Sequence, residues 1–180
     1  MVTALKTGGT EGLVAGVCAR LSRRLGSVSN PAGVIYGVLA VGTLIAAEGT
    51  RRETYESVLG ASALALVLYW LAHAYARHLG ERLKRPEEWQ PRDIGTALLH
   101  EAALVKGAAL PIVALLLSWF AGAGLSVGVA ASLWTAAIEL FLLEVAAGVG
   151  RKLPPREMAI EVALGATLAA GILGIRVVLH

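Results

Sequence analysis

The sequence is poor in the residues that most catalytic and metal-binding sites use. It holds one cysteine, Cys18, so no disulfide can form within the chain, and one aspartate, Asp93. It contains no His-Glu-x-x-His motif, no Glu-x-x-His pair and no pair of cysteine ligands. These absences argue against phosphotransfer chemistry and predict a protein that is not an enzyme and uses no cofactor. A metal site built from single residues on different helices, such as His73 with Glu139 and Glu144, is left open.

Charged residues are also scarce. They make up 16% of the 180 residues, hydrophobic residues make up 56%, and the mean hydropathy is +0.67, values typical of an integral membrane protein. A helix needs roughly 20 apolar residues to cross the hydrocarbon core. Five segments meet this condition, at 31–48, 58–79, 102–121, 126–148 and 158–178, and none alternates with period 2 as a barrel strand would. The prediction is an all-α membrane protein with five transmembrane helices, or four if the first or last segment lies in the interface.

Basic residues predict the orientation. Twelve of the 16 precede the first span or lie in the second and fourth connections: Lys6, Arg20, Arg23, Arg24, Arg77, Arg82, Lys84, Arg85, Arg92, Arg151, Lys152 and Arg156. The positive-inside rule therefore places the N-terminus in the cytoplasm. Because the sequence is rich in Ala, Gly and Arg, we expect a multi-pass protein of a bacterial cytoplasmic (inner) membrane. The net charge of +3 reports this topology and does not indicate nucleic-acid binding.

The chain divides into a short surface segment and one membrane domain. Residues 1–28 have an amphipathic pattern, with Arg20, Arg23 and Arg24 opposite an apolar face, which predicts an interfacial helix on anionic headgroups. Residues 29–180 form a single polytopic helical domain. Its second helix should continue past the bilayer to Leu83, and its third should begin just after Pro91.

Small residues predict close helix packing. Gly33 with Gly37, and Gly165 with Ala169, follow the small-xxx-small spacing that lets helices approach in lipid. Pro111 should interrupt the hydrogen bonding of the third helix and free the carbonyl of Gly107.

Polar residues inside the spans carry the functional prediction. Glu139 lies near the middle of the fourth span, where an acid costs at least ~2.5–3.5 kcal/mol to insert and usually marks a site or a pathway. As a structural alternative, Glu139 would donate a hydrogen bond to Ser118, Thr135 or a carbonyl. At 1.5 Å per residue, His73, Lys106, Glu144 and Glu161 fall in one layer nearer the cytoplasm. We expect Lys106 to pair with Glu144 or Glu161.

The second helix adds a polar stripe to this layer. Ser62, Tyr69, His73 and Arg77 recur at helical spacing, and their face should point into the bundle. His73, which can titrate near neutrality, would with Tyr69 tune or gate the site.

These residues together predict a small channel- or transporter-like protein that handles protons or small cations. In this hypothesis Glu139 is the central ion-binding group at the closed end of a polar cavity. Lys106, Glu144 and Glu161 form a charge network on its cytoplasmic side. Because five spans are few for a solitary carrier, we expect a homo-oligomer. The alternatives are a non-catalytic scaffold or accessory subunit, which needs only helix packing, and a lipid-modifying membrane enzyme.

Overall fold

The computed structural model describes residues 30–51, 54–84, 91–151 and 154–179, and in these ranges the chain forms five α-helices. They are α1 (Pro31–Arg51), α2 (Tyr55–Lys84), α3 (Pro91–Phe120), α4 (Leu125–Gly150) and α5 (Pro155–Leu179). All five are long and apolar enough to cross a membrane. The five predicted helices are therefore confirmed, and none is too short to span. The segment 1–28, with Arg20, Arg23 and Arg24, lies outside the described residues.

The helix limits extend beyond the apolar spans where the sequence predicted it. α2 continues to Lys84 and α3 begins at Pro91. α1 begins with a side-chain cap, because the backbone N–H of Gly33 donates to Oδ1 of Asn30 at 2.9 Å. Pro31 occupies the first helical position, where its missing N–H costs nothing.

α1 is the central helix of the bundle. It packs against all four others, which form an arc around it in chain order: α2 contacts α3, α3 contacts α4, and α4 contacts α5. Val38, Val41 and Ile45 of α1 are almost fully buried. The start of α1 lies beside α3, the end of α2 and the beginning of α3 meet, and α4 ends where α5 begins. We call the end of the bundle that carries these contacts the basic end.

The closest helix contact joins α1 and α3 through two glycines. A methyl group at Gly37 would overlap the backbone carbonyl of Leu104, and a methyl group at Gly107 would overlap the backbone carbonyl of Val34. Only glycine permits backbones to meet at this distance. Close packing at Gly33 and Gly37 was predicted, whereas the matching position on α3, Gly107, was noted only for its carbonyl.

The turn between α3 and α4 is stabilised by its own backbone and by α2. Gly122 has a φ of 72°, and the N–H groups of Gly122 and Ala123 bond back to Trp119 and Ser118, which is a Schellman ending. The hydroxyl of Tyr55 lies 3.0 Å from the carbonyl oxygens of both Ala123 and Gly124. The first turn of α2 is thereby attached to this connection.

α3 continues as a helix through Pro111. Ser132 of α4 is fully buried and donates its hydroxyl to the carbonyl of Pro111 at 2.7 Å. A buried hydroxyl needs such a partner, and this bond also fixes the register between α3 and α4.

Candidate functional site

Glu139 lies on α4, half-buried, at the edge of the face that packs into the bundle. Its Oε2 is shielded from solvent and has no hydrogen-bond partner among the described residues. The two hydroxyls predicted as partners are used within their own helices, since Ser118 donates to Ala114 and Thr135 donates to Ala131. An unsatisfied carboxyl oxygen inside an apolar helix is costly, and such groups are associated with bound water, ions or function.

A second group of charges joins α4 and α5 at the basic end. Arg151 and Glu161 form an ion pair with an N···O distance of 2.7 Å. Glu144 lies near enough for both charges to act on it, and its side chain packs against Gly165 of α5. Any side chain at Gly165 would collide with Cγ of Glu144. The small residue predicted at this position therefore makes room for the side chain of Glu144 between α4 and α5. The second carboxyl oxygen of Glu161 is buried and has no partner within the described residues.

The ion pair predicted for Lys106 is wrong. Lys106 is exposed on α3 and forms no ion pair within the part of the chain that the structure describes, while Glu161 pairs with Arg151. The α3 positions that face the bundle include Leu104 and Ala108, both fully buried. A residue two places from each of them points away from this face, because successive helix residues are rotated by about 100°.

The predicted stripe on α2 is only partly directed into the bundle. Ser62 is fully buried, Tyr69 packs against the core and His73 is half-buried, whereas Arg77 is exposed overall. The imidazole of His73 lies between two tyrosines, with ring-centroid distances of 4.3 Å to Tyr69 and 5.8 Å to Tyr36 of α1. Because α2 packs mainly on α1 and α3, these rings are separated from the charges between α4 and α5. The single polar layer predicted from depth is therefore at least two separate groups.

The most complete polar network is one that the sequence prediction missed. Glu101 of α3 has an exposed fraction of only 6%, and its carboxylate accepts from Asn30 at 3.2 Å and from Arg77 at 3.3 Å. Arg77 also contacts His100 and pairs with Glu81. Three helices thus meet around one buried acid.

A sequence signal for this network existed. Glu101 directly precedes the apolar span that begins at residue 102. The predicted early start of α3 places Glu101 about 15 Å inside the helix. It also shares a face with Ala97, Leu104 and Ala108, which are all buried.

The cavity that the structure shows lies elsewhere than predicted. It has a volume of about 490 Å³, lies between α1 and α2, and is lined mostly by apolar side chains. None of its lining residues is charged, and Glu139 is not among them. A polar cavity that ends at Glu139 was predicted, but this cavity does not provide it. Among the described residues, no group of three or more His, Cys, Asp or Glu side chains is placed to hold a metal ion.

These features define the class of protein: a helical bundle with five helices able to span a membrane and with isolated ionisable groups inside them. Comparison with known protein families, with curated proteins and with solved structures finds no match to this chain.

Proposed function

We propose that the protein handles protons or small cations in the cytoplasmic membrane of a prokaryote, with its N-terminus in the cytoplasm and Glu139 as the central group. The observation that carries this proposal is the shielded Oε2 of Glu139, which has no hydrogen-bond partner in the described residues. A structural hydrogen-bonding role would use that oxygen. A group that binds a transient proton or cation leaves it available.

Two further acids extend the proposed path toward the basic end. Glu144 lies five residues after Glu139, about 7.5 Å along the axis of α4. Glu161 follows on α5, beside Gly148. Arg151 pairs with one oxygen of Glu161 and leaves the other without a partner among the described residues. The acids therefore span the distance from the middle of α4 to its charged end, where ions would enter or leave.

The path in this proposal is completed by several copies of the chain. The cavity within one chain is not lined by Glu139. The outer face of α4 is strongly apolar, with exposed Trp134, Ile138 and Phe141, and half-buried Glu139 lies at the border between this face and the buried one. Assembly through this face would bring one Glu139 per copy close to the contact between copies, as expected for a small chain that acts as a homo-oligomer. Lys106, His73 and Tyr69 have no part in this path, because they lie on other faces of the bundle.

The test is ion flux in proteoliposomes under an imposed gradient, read with a pH-sensitive dye and with dyes for monovalent and divalent cations. Glu139→Gln keeps the size of the side chain and removes its charge. Flux should be present in the native protein and lost in this variant, while its circular dichroism and elution volume are unchanged.

The matched control is Glu157→Gln, the same chemical change at an exposed residue in the first turn of α5. It should leave flux unaltered. Absence of flux for every ion in the native protein would refute the proposal, as would equal loss in both variants.

A non-catalytic scaffold or accessory subunit is the second candidate. It is favoured by the satisfied network around Glu101 and by the glycine contact of α1 with α3, which hold the first three helices together. In that case Glu139→Gln would change neither flux nor stability by more than a surface substitution does.

A further inference from the structure

His100 lies where α2 and α3 meet at the basic end. Its Nδ1 is 3.1 Å from the guanidinium nitrogen Nη1 of Arg77 and 3.4 Å from Oε1 of Glu101. The same guanidinium nitrogen lies 3.3 Å from the same carboxylate oxygen. One imidazole nitrogen therefore borders both members of the ion pair that joins the two helices.

The neutral imidazole is compatible with this ion pair. Because a guanidinium only donates, Nδ1 is the acceptor in its contact with Arg77, and the ring proton is then on Nε2. In this state Arg77 donates to both His100 and Glu101, and the ion pair crosses from α2 to α3.

A proton on Nδ1 reverses these roles. The imidazolium donates to Glu101, and it repels the guanidinium from which the neutral ring accepted. Arg77 has a second partner, since its Nε lies 3.2 Å from Oε1 of Glu81, one turn further along α2. Both cations thus keep a carboxylate. Each pair, however, now lies within a single helix, and the pair between the helices is lost.

Other groups around His100 do not compete for its proton. From α1, the neutral carboxamide of Asn30 donates to the second oxygen of Glu101 at 3.2 Å. Further ionisable side chains at this end of α2 and α3, or on α4, form neither an ion pair nor a hydrogen bond with His100 within the described residues: His78, Arg82, Arg92, Asp93, Glu139 and Glu144.

We propose that His100 is a pH-sensitive switch for the contact between α2 and α3 at the basic end. When His100 is neutral, the pair of Arg77 with Glu101 holds the end of α2 against α3. When His100 is protonated, pairs within each helix replace it, and the end of α2 moves away from α3. α1 and α3 stay together through Asn30 and through the glycine contact.

Trp70 limits this motion. Its indole N–H donates to the carbonyl of Leu98 at 3.1 Å, seven residues or about 10 Å before Arg77 along α2. The first turn of α2 is held by Tyr55 at the other end of the bundle. The part that moves is therefore the end of α2 beyond Trp70. This switch is independent of Glu139 and of the ion path proposed above.

The test measures the distance between the ends of α2 and α3 as the pH changes. The full chain with Cys18→Ser carries spin labels on Leu83→Cys and Leu99→Cys, two exposed positions, and is studied in liposomes by double electron-electron resonance. The label distance should increase reversibly from about pH 8 to about pH 5, the interval in which histidine changes its charge. A second label pair, on Ala32→Cys at the exposed start of α1 and on Leu99→Cys, should show no change.

Three variants identify the groups that act. His100→Gln cannot titrate but keeps an acceptor for Arg77, so the label distance should stay short at every pH. His78→Gln, the same change at a buried histidine of α2, should leave the pH response intact. Glu81→Gln removes the second partner of Arg77 and makes the separated state less favourable, so the midpoint should shift to lower pH.

Four results would overturn the proposal. An unchanged label distance between about pH 8 and about pH 5 would show that the junction does not move. The same change in His100→Gln as in the native chain would show that another group titrates. Loss of the response in His78→Gln would assign the response to that residue. A midpoint unaffected by Glu81→Gln would show that Arg77 does not change partners.

Discussion

Gly37→Ala should be among the most destabilising single-methyl additions in this protein. The added carbon would overlap the carbonyl oxygen of Leu104 and approach the backbone of Ala108. These are backbone atoms of a rigid helix, so no rotamer change can relieve the overlap, and α1 and α3 must move apart. Overpacking a well-packed core costs typically 1–3 kcal/mol, and we expect a value near the upper limit because the obstacle is main chain.

The same reasoning applies in reverse to Gly107→Ala, where the obstacle is the carbonyl of Val34. A single separation of α1 from α3 makes room for both methyl groups. The double variant should therefore cost less than the sum of the two single changes, by about 0.5 kcal/mol or more, as coupled neighbours do.

The assay is the free energy of unfolding in mixed micelles, followed by circular dichroism as denaturing detergent is added. Gly171→Ala and Gly174→Ala on α5 are the controls, since a Cβ at either position meets no atom within 4 Å. These should be neutral or stabilise the helix by up to ~1 kcal/mol. If Gly37→Ala were as well tolerated as the controls, the close backbone contact that we describe would be refuted.

Other contacts make smaller predictions, each checked by the same unfolding assay. Glu101→Gln should destabilise the protein by about 1–3 kcal/mol, because it weakens the buried ion pair with Arg77. The control is Glu81→Gln, at the exposed partner of the same arginine, which should change stability by less than ~0.5 kcal/mol. Equal effects of the two changes would contradict the network. Ser132→Ala removes the bond to the carbonyl of Pro111 and should cost ~0.6 kcal/mol, up to about 1.7. Tyr55→Phe should cost a similar amount and should increase proteolysis of the α3–α4 turn; unchanged cleavage would show that its hydroxyl does not hold that turn.

The helices could be predicted because their signal is local. A run of about 20 apolar residues has few stable forms in a membrane other than a helix, so length and composition place each span without knowledge of its neighbours. The extensions of α2 and α3 were predictable for the same reason, since capping residues and helix propensity act over one or two turns. Gly33 and Gly37 belong to this group, because their spacing marks a face before its partner is known.

The partners of the charged residues were not predictable in the same way. Depth along a helix placed Lys106 in a layer with Glu144 and Glu161, but depth does not specify the direction of a side chain around the axis. α3 turns Lys106 outward, and Arg151, three residues beyond the predicted end of its span, reaches Glu161 instead. Glu101 was missed because it lies just before the apolar span, whereas its burial depends on the face of α3 on which it lies.

By itself, the sequence determined the five long apolar helices of the described residues and their approximate limits, because these follow from hydrophobicity and from a rise of 1.5 Å per residue. Tertiary structure alone decided which helices are neighbours and therefore which polar atoms meet. In lipid, helix association depends on close packing and on single hydrogen bonds, and not on a hydrophobic force that composition would reveal. The buried network at Glu101, the unpaired oxygen of Glu139 and the cavity between α1 and α2 all arise from those contacts.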